Sequence, residues 1–217
     1  MTAGLPPSQF SAAEGAEDWR VLFSGANAHF RTGSYETAVA LVAEIGRLAA
    51  AAGHLPDVDL RAGGVFVRLW TPEAPWQLTE LDLELARSIS AAAREAGAEA
   101  DPSAVQHVQL AIDALAAPEV MPFWRAILGY DEAGPEDLDD PRGRGPSLWF
   151  QDMDAPRPQR NRIHVDLSLP HDQAEARIAA AVAAGGRVIF DKHAPQWWTL
   201  ADPEGNEVDV ATWQGRE

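Results

Sequence analysis

Two acidic residues near the end of the chain alternate with valines in a pattern that places them on one face of a strand. Glu207 and Asp209 are separated by Val208 and followed by Val210, and successive strand side chains point to opposite faces. Residues 202–206 read Asp-Pro-Glu-Gly-Asn, which predicts a tight turn because proline fixes one backbone angle and glycine and asparagine tolerate positive φ. If the valines pack against a helix, Asp209 points into whatever the other face encloses.

Two histidines open segments that look like repeats of each other. Residues 105–110 read Val-Gln-His-Val-Gln-Leu, and residues 163–169 read Ile-His-Val-Asp-Leu-Ser-Leu. After the second segment the pattern predicts a helix and then three strands, at 172–184, 187–190, 196–201 and 207–212. After the first it predicts a strand to 112, a helix at 122–128, a flexible loop or lid at 131–146 and a strand at 147–151. The repeat places His107 and His164 in matching positions.

The turn and the acidic strand resemble the closing hairpin of the vicinal oxygen chelate superfamily, the glyoxalase-like proteins. This resemblance implies paired βαβββ modules around a shared cavity, with metal ligands from the first and last strand of each module. Transferred to this chain, the ligand set is His107, Gln151, His164 and Asp209. Two imidazoles, an amide oxygen and a carboxylate suit Zn, Ni, Fe or Mn, with positions left for substrate oxygens. The alternative is that both histidines are core residues and that the cavity binds a ligand without metal.

The first half of the chain has a different pattern, which predicts a short helix followed by two hairpins that alternate with two long helices. The predicted hairpins lie at 19–32 and 57–70, and the first long helix at 35–52. The second long helix runs from Thr79 to about residue 96. Thr79 and Asp82 have the spacing of a capping box, in which the two residues bond to each other's backbone amides.

Residues 5 to 96 resemble pterin-4a-carbinolamine dehydratase, most clearly around His54 and in the helix that contains Asp82. The resemblance implies a pterin site surrounded by three histidines, two of them adjacent at a helix end and one at the end of a later strand. His54 keeps the first of these positions, Leu55 occupies the second and Pro72 the third. Asp82 matches an acid of the family's last helix, so His54 and Asp82 are the candidate catalytic residues.

The departures at Leu55 and Pro72 matter because the dehydration needs both an acid and a base. Loss of water from a 4a-hydroxytetrahydropterin requires protonation of the leaving hydroxyl and removal of a ring nitrogen proton, and histidine suits both steps near neutral pH. Leucine and proline can do neither. The domain is therefore either active through His54, or a pterin pocket, a dimerisation surface or a scaffold without the activity.

Composition limits the classes of partner. The 217 residues carry a formal net charge of −16 with 17 Lys plus Arg, which disfavours nucleic acid and anionic membrane surfaces. The chain has no cysteine and no apolar run long enough for a membrane span, so we expect a cytoplasmic protein. Eight tryptophans are present, and those near the predicted cavity strands would form flat walls for an aromatic ligand: Trp149, Trp197, Trp198 and Trp213.

We therefore expect an α+β protein of two domains, a pterin-dehydratase-like domain at 1–96 and a glyoxalase-like domain at 105–217, joined by a linker at 97–104. The first functional hypothesis is a small-molecule enzyme of the lyase, isomerase or dioxygenase type, assisted by a divalent metal. The second is 4a-hydroxytetrahydrobiopterin dehydratase activity in the first domain. The third is a non-catalytic protein that sequesters a pterin or an aromatic ligand. The first domain's resemblance also implies association, for example as a homodimer.

Overall fold

The computed structural model describes residues 4–71, 78–156 and 163–214. The chain forms two compact units, Met1–His107 and Val108–Glu217. Within the described ranges, no helix is long and apolar enough to cross a membrane. Each unit contains both helices and sheet, so the predicted α+β class is confirmed.

The first unit has one sheet with helices over it. Its strands follow the order β1-β2-β4-β3, and β5 pairs with the end of β2. Because β5 belongs to this sheet, the segment predicted as a linker contributes structure to the first unit. The elements are α1 (Pro7–Ala12), β1 (Arg20–Leu22), β2 (Gly25–Arg31), α2 (Tyr35–Ala52), β3 (Asp57–Arg61), β4 (Gly64–Leu69), α3 (Glu80–Glu95) and β5 (Glu99–Ala100).

Local sequence explains where the long helices of the first unit begin and end. The Ser34 hydroxyl oxygen accepts the Thr37 amide at 3.1 Å and caps the start of α2, as serine does at this position in many helices. Gly53 ends α2 in the left-handed conformation at φ 64°, which glycine adopts without a Cβ penalty. The capping box predicted at Thr79 and Asp82 is present at the start of α3.

The second unit consists of two modules with the same order of elements. Each module has four strands, and its first strand pairs in parallel with its last: β6 with β9, and β10 with β13. The sheet orders are β6-β9-β8-β7 and β10-β13-β12-β11. The elements are β6 (Gln109–Ala114), α4 (Ala117–Leu128), β7 (Asp131–Gly134), β8 (Asp137–Asp139), β9 (Ser147–Asp152), β10 (Val165–Ser168), α5 (Ala174–Ala183), β11 (Arg187–Phe190), β12 (Trp197–Ala201) and β13 (Glu207–Ala211).

Two boundaries of the first module differ from the prediction. The strand begins at Gln109 rather than at residue 105, so His107 precedes it. The helix begins at Ala117 rather than at Pro122, with Pro118 in its first turn and Pro122 in its interior. Proline is tolerated in a first helical turn because its missing N–H would have no partner there. Pro122 therefore marks the second turn of α4 and not its start.

The segment 131–146 was expected to be a flexible loop, but part of it forms an antiparallel hairpin of β7 and β8. Beyond the hairpin, the Asp140 carboxylate accepts the backbone amides of Arg142, Arg144 and Gly145 at 2.8–3.0 Å. Burial by itself raises the pKa of Asp140, but these three hydrogen bonds and the Arg142 charge hold it below its ordinary value. One carboxylate thus organises a turn in which the sequence pattern shows only polar and helix-breaking residues.

The predicted turn 202–206 also joins the two modules. Asp202 is buried completely, and its Oδ1 accepts the backbone amides of Glu204, Gly205 and Asn206 at 2.7–3.0 Å. Its Oδ2 accepts the indole N–H of Trp124 on α4 at 3.0 Å. The Glu204 carboxylate accepts the amides of residues 115 and 116, immediately before α4. This turn of the second module therefore anchors α4 of the first module, through Trp124 and through the segment that leads into the helix.

Replacement of Asp202 by alanine should destabilise the second unit by about 3 kcal/mol, because several buried donors then lose a charged acceptor. Pulse proteolysis of the full chain in urea, read from the surviving fragment of the second unit, measures the change. Asp191→Ala is the matched control, since Asp191 is an exposed residue of another turn in the same module. Equal stabilities of the two variants would contradict a joining role for Asp202.

Candidate functional site

The last strand of the second unit places its acids on the face opposite the hydrophobic core. Val208 and Val210 are buried in the core together with Leu200 of β12. Glu207 and Asp209 alternate with these valines and so point to the other face of the sheet. This arrangement agrees with the alternation in the sequence.

Three ionisable side chains converge on that face. Asp166 of β10 is aligned with Asp209 of β13, and His164, two residues before Asp166, points to the same side. His164 Nε2 lies 3.6 Å from Asp166 Oδ1 and 3.6 Å from Asp209 Oδ2. One nitrogen or oxygen atom of each residue lies within 4.8 Å of the others, which fits a shared metal ion.

The donor set fits a divalent transition metal. Zn²⁺ binds imidazole nitrogen and carboxylate oxygen at about 2.0–2.2 Å, so two ligands of a tetrahedral site are roughly 3.4 Å apart. The two 3.6 Å separations are close to this value. In addition, Asp209 Oδ1 is buried without a hydrogen-bond partner in the described part of the chain. A buried carboxylate oxygen without a partner is costly, and a bound cation would satisfy it.

A cavity of about 430 Å³ opens beside His164. Its walls come from both modules, including Ile112 and Asp113 of β6, Val165 of β10, Glu204 of the turn and Glu207 of β13. Ligand pockets in proteins commonly have volumes of 300–1,000 Å³. The cavity is therefore large enough for a small organic molecule that also reaches the His164 imidazole.

The structure brings together two of the four predicted metal ligands. His164 and Asp209 meet, whereas His107 lies in the first unit, where its ring stacks on Phe23 with the centroids 6.0 Å apart. Gln151 lies on β9, where it pairs with Asp113 and is exposed. Ligation by His107 and Gln151 stays a prediction.

Asp166 is the member of the cluster that the sequence prediction omitted. Its signal was present, because it follows His164 at the two-residue spacing that keeps strand side chains on one face. The ligand set was transferred by position from a resemblance, and that transfer chose one residue for each strand. Two ligands from one strand become visible only when the alternation is applied to the whole segment 163–169.

The first unit contains a second cluster, built around the two candidate catalytic residues. His54 follows the end of α2 and is 7% exposed, while Asp82 of α3 is 0% exposed. Their side chains meet with His54 Nε2 at 2.7 Å from Asp82 Oδ1. The prediction named both residues from separate motifs, and the fold brings them into contact across 28 positions of sequence.

The other oxygen of Asp82 is held by two threonines. Asp82 Oδ2 accepts the Thr79 amide at 2.7 Å and the hydroxyls of Thr79 and Thr71 at 2.8 Å each. The residue that completes the capping box of α3 is therefore also the residue that orients His54. Such a network fixes the direction of the imidazole ring because each of its members is buried and bonded.

The two departures from the dehydratase pattern lie near this cluster in sequence. Leu55 follows His54 and is 75% exposed. Pro72 lies outside the described residues. Of the three positions that carry histidine in the dehydratase pattern, His54 is therefore the one that keeps it in this chain.

Comparisons with known proteins find a matching family model for each half of the chain. The family model for pterin 4 alpha carbinolamine dehydratase matches residues 5–92, and the model for a glyoxalase-like domain matches residues 109–211. A pterin-4-alpha-carbinolamine dehydratase homologue from Chloroflexus aggregans is 43% identical over 60 residues, which cover 28% of this chain and 63% of that protein. A homologue from Chloroflexus aurantiacus is 39% identical over 72 residues, which cover 33% of this chain and 76% of that protein.

A solved structure of a glyoxalase/bleomycin resistance protein/dioxygenase family enzyme from Burkholderia phytofirmans is also similar. It has a TM-score of 0.37 and 15% sequence identity, and the match covers 48% of this chain and 95% of that chain. The chain belongs to the pterin-4a-carbinolamine dehydratase family through its N-terminal region and carries a glyoxalase-like domain in its C-terminal region.

Proposed function

We propose that the glyoxalase-like domain binds a divalent cation through His164, Asp166 and Asp209 and that this cation acts on a small molecule held in the adjacent cavity. The observation that carries the proposal is the convergence of one imidazole and two carboxylates with a buried Asp209 oxygen that has no partner in the described part of the chain. The ligand oxygens of Asp166 and Asp209 lie within 4.8 Å of each other. Two carboxylates this close repel each other, and a positive charge between them offsets that repulsion.

The donor types favour Zn, Ni, Fe or Mn. When bound, such an ion supplies Lewis-acid polarisation of a ligand oxygen or, as iron, oxygen chemistry. The protein's part is to hold the ligand beside His164 and to line its binding site with the apolar and acidic groups of the cavity. Lyase, isomerase and dioxygenase reactions are all compatible with this arrangement.

Calorimetric titration of metal-free protein with Zn²⁺ and with Ni²⁺ tests the proposal. We expect saturation at about one ion per chain, as a three-residue site with open positions requires. Failure of both ions to bind would overturn it. Binding of a ligand in the cavity without any cation would instead favour the sequestering protein.

The contact between His54 and Asp82 supports a second function, the dehydration of 4a-hydroxytetrahydropterins by the first unit. A buried carboxylate beside a histidine can hold one ring nitrogen in place and leave the other for proton transfer. One histidine supplies only one of the two proton-transfer roles, so we expect an activity below that of a three-histidine site.

The rate of dehydration of a 4a-hydroxytetrahydropterin, compared with buffer, tests this function. We expect the wild-type chain to accelerate the reaction and His54→Ala to lose roughly a hundredfold of that acceleration, which is the usual contribution of one general acid or base. His171→Ala is the control, because His171 is an exposed histidine of the other unit. A wild-type rate equal to that in buffer would remove this function.

A further inference from the structure

His29 is a buried residue on the face of the first sheet that points away from the hydrophobic core. Ala28 and Phe30, its neighbours on β2, belong to the core, so the His29 side chain points to the opposite face. His29 is nevertheless only 8% exposed. Polar residues on the outer face of an antiparallel sheet are ordinarily in contact with water, so the close packing of this ring is a specific feature of the first unit.

Two residues of β4 form the slot in which the imidazole lies. Phe66 is aligned with His29 in the strand register, and the two rings are stacked with their centroids 4.1 Å apart and their planes 24° apart. At the tip of the ring, a Cβ atom at Gly64 would lie 2.9 Å from His29 Nε2, which is closer than such atoms come in proteins. Glycine at position 64 therefore makes room for the ring.

One nitrogen of this ring is buried without a hydrogen bond. His29 Nδ1 has no partner in the part of the chain that the structure describes. A neutral imidazole carries a lone pair at one nitrogen, whereas both nitrogens are N–H donors when the ring is protonated. A buried donor without an acceptor costs free energy, so protonation is unfavourable while the ring stays in its slot. Burial accordingly holds the pKa of His29 below its ordinary value of 6.5.

The charged groups around His29 do not remove this cost. Burial has the largest effect on the pKa of His29, the Asp101 carboxylate opposes it, and the Arg31 guanidinium reinforces it. Asp101 already accepts the amide and the hydroxyl of Ser103. The other charged side chains on this face of the sheet have partners of their own: Arg31 pairs with Glu99 of β5, Arg68 of β4 with Asp57 of β3, and Arg61 with Asp59 of β3, while Arg20 of β1 donates to backbone carbonyls.

His29 also lies where the last strand of the first unit is attached. β5 pairs with β2 at Phe30 and Arg31, and the Asp101 amide, immediately after β5, donates to the His29 carbonyl at 2.8 Å. The strand has only two residues, so few hydrogen bonds hold it. A displacement of the ring that moves the His29 backbone therefore disturbs the attachment of β5.

We propose that His29 is an acid-sensitive latch, whose protonation loosens the attachment of β5 and the residues after it to β2. Above pH 6.5, the ordinary pKa of histidine, the neutral ring stays stacked on Phe66 and the strand stays closed. As the pH falls below this value, the open form takes up a proton more readily than the closed form, so the closed form loses its advantage progressively. The protonated ring leaves its slot for water and for the Asp101 carboxylate.

Hydrogen exchange of the full chain between about pH 7.5 and about pH 5.5, corrected for the intrinsic pH dependence of exchange, tests the latch. Peptides that cover residues 98–104 should open more readily at the lower pH, by roughly fivefold to a hundredfold, the factor that one buried donor without an acceptor gives. Asp101 stays ionised over this range, because its hydrogen bonds with Ser103 hold its pKa below the ordinary value. His29→Phe keeps a ring against Phe66 but takes up no proton, so its peptides should show no such change.

His171→Phe is the matched control, because it removes an exposed histidine of the other unit and should keep the pH dependence of the wild type. The same pH dependence in the wild type and in His29→Phe, or none in the wild type, would overturn the latch. If His29→Phe fails to fold, proton NMR of the wild type decides. The His29 ring signal, identified by its contact with the Phe66 ring, should titrate with a pKa below 6.5, and a pKa at or above this value would overturn the latch.

Discussion

Replacement of His164 by alanine should remove stoichiometric binding of a divalent cation. His164 Nε2 is the atom that faces both carboxylates, at 3.6 Å from each, and it is the only neutral ligand of the three. Loss of one of three protein ligands should weaken Zn²⁺ affinity by at least about a hundredfold, since removal of mere supporting contacts already costs 10–100-fold. Asp209→Ala should have a comparable effect because it removes the partner on the neighbouring strand.

His171→Ala is the matched control for this experiment. His171 is exposed, belongs to the same unit and bonds to Trp213 rather than to the cluster. Calorimetry with Zn²⁺ and elemental analysis after dialysis should show unchanged binding in His171→Ala and little or none in His164→Ala. Equal metal content of these two variants would mean that the cluster is not the site.

Replacement of Asp82 by alanine should both destabilise the first unit and disorient His54. The carboxylate is buried and accepts hydrogen bonds from Thr71 and from the amide and hydroxyl of Thr79, while it also contacts His54. Leaving these groups without a partner, together with loss of the α3 cap, should cost about 3 kcal/mol or more. Hydrogen exchange of peptides from α2 and α3 in the full chain measures the change.

Glu80→Ala separates this effect from a general loss of negative charge at the start of α3. Glu80 lies in the same first turn but is exposed, so its loss should change the opening free energy by no more than roughly 0.5 kcal/mol.

If the role of Asp82 is structural alone, Asp82→Ala should change hydrogen exchange in α3 and leave the rate of pterin dehydration unchanged. If His54 is catalytic, any dehydration activity should also fall in Asp82→Asn, which keeps the volume of the side chain. Unchanged protection in α3 of Asp82→Ala would contradict the account of this network.

Much of the fold follows from local pattern. The helices of the first unit were predicted because Ser34, Thr79 and Gly53 are strong end signals, and the last strand of the second module because its valines alternate with acids. The predictions fail where long-range contacts determine the local structure. The segment 131–146 consists mostly of turn-forming and charged residues, and it is organised by the Asp140 carboxylate, by the burial of Leu138 and by the pairing of β7 with β8.

In the candidate sites, too, local pattern identified single residues, whereas long-range contacts determined which residues meet. The contact of His54 with Asp82 links two motifs that were recognised separately, but their meeting depends on how α2 and α3 pack. Asp166 was missed although its spacing from His164 was informative, because the register of β10 with β13 is what aligns it with Asp209. Register depends on the tertiary pairing of strands that are 43 residues apart in sequence and is not encoded in either strand alone.

The measurement that tests the central claim most directly is anomalous diffraction at the zinc edge from crystals of the Zn²⁺-loaded protein. We predict one strong peak on the face of the second sheet, at about 2.0–2.2 Å from His164 Nε2 and from oxygens of Asp166 and Asp209. A peak bound by other residues, or no peak in the second unit of protein that holds stoichiometric zinc, would contradict the proposed site.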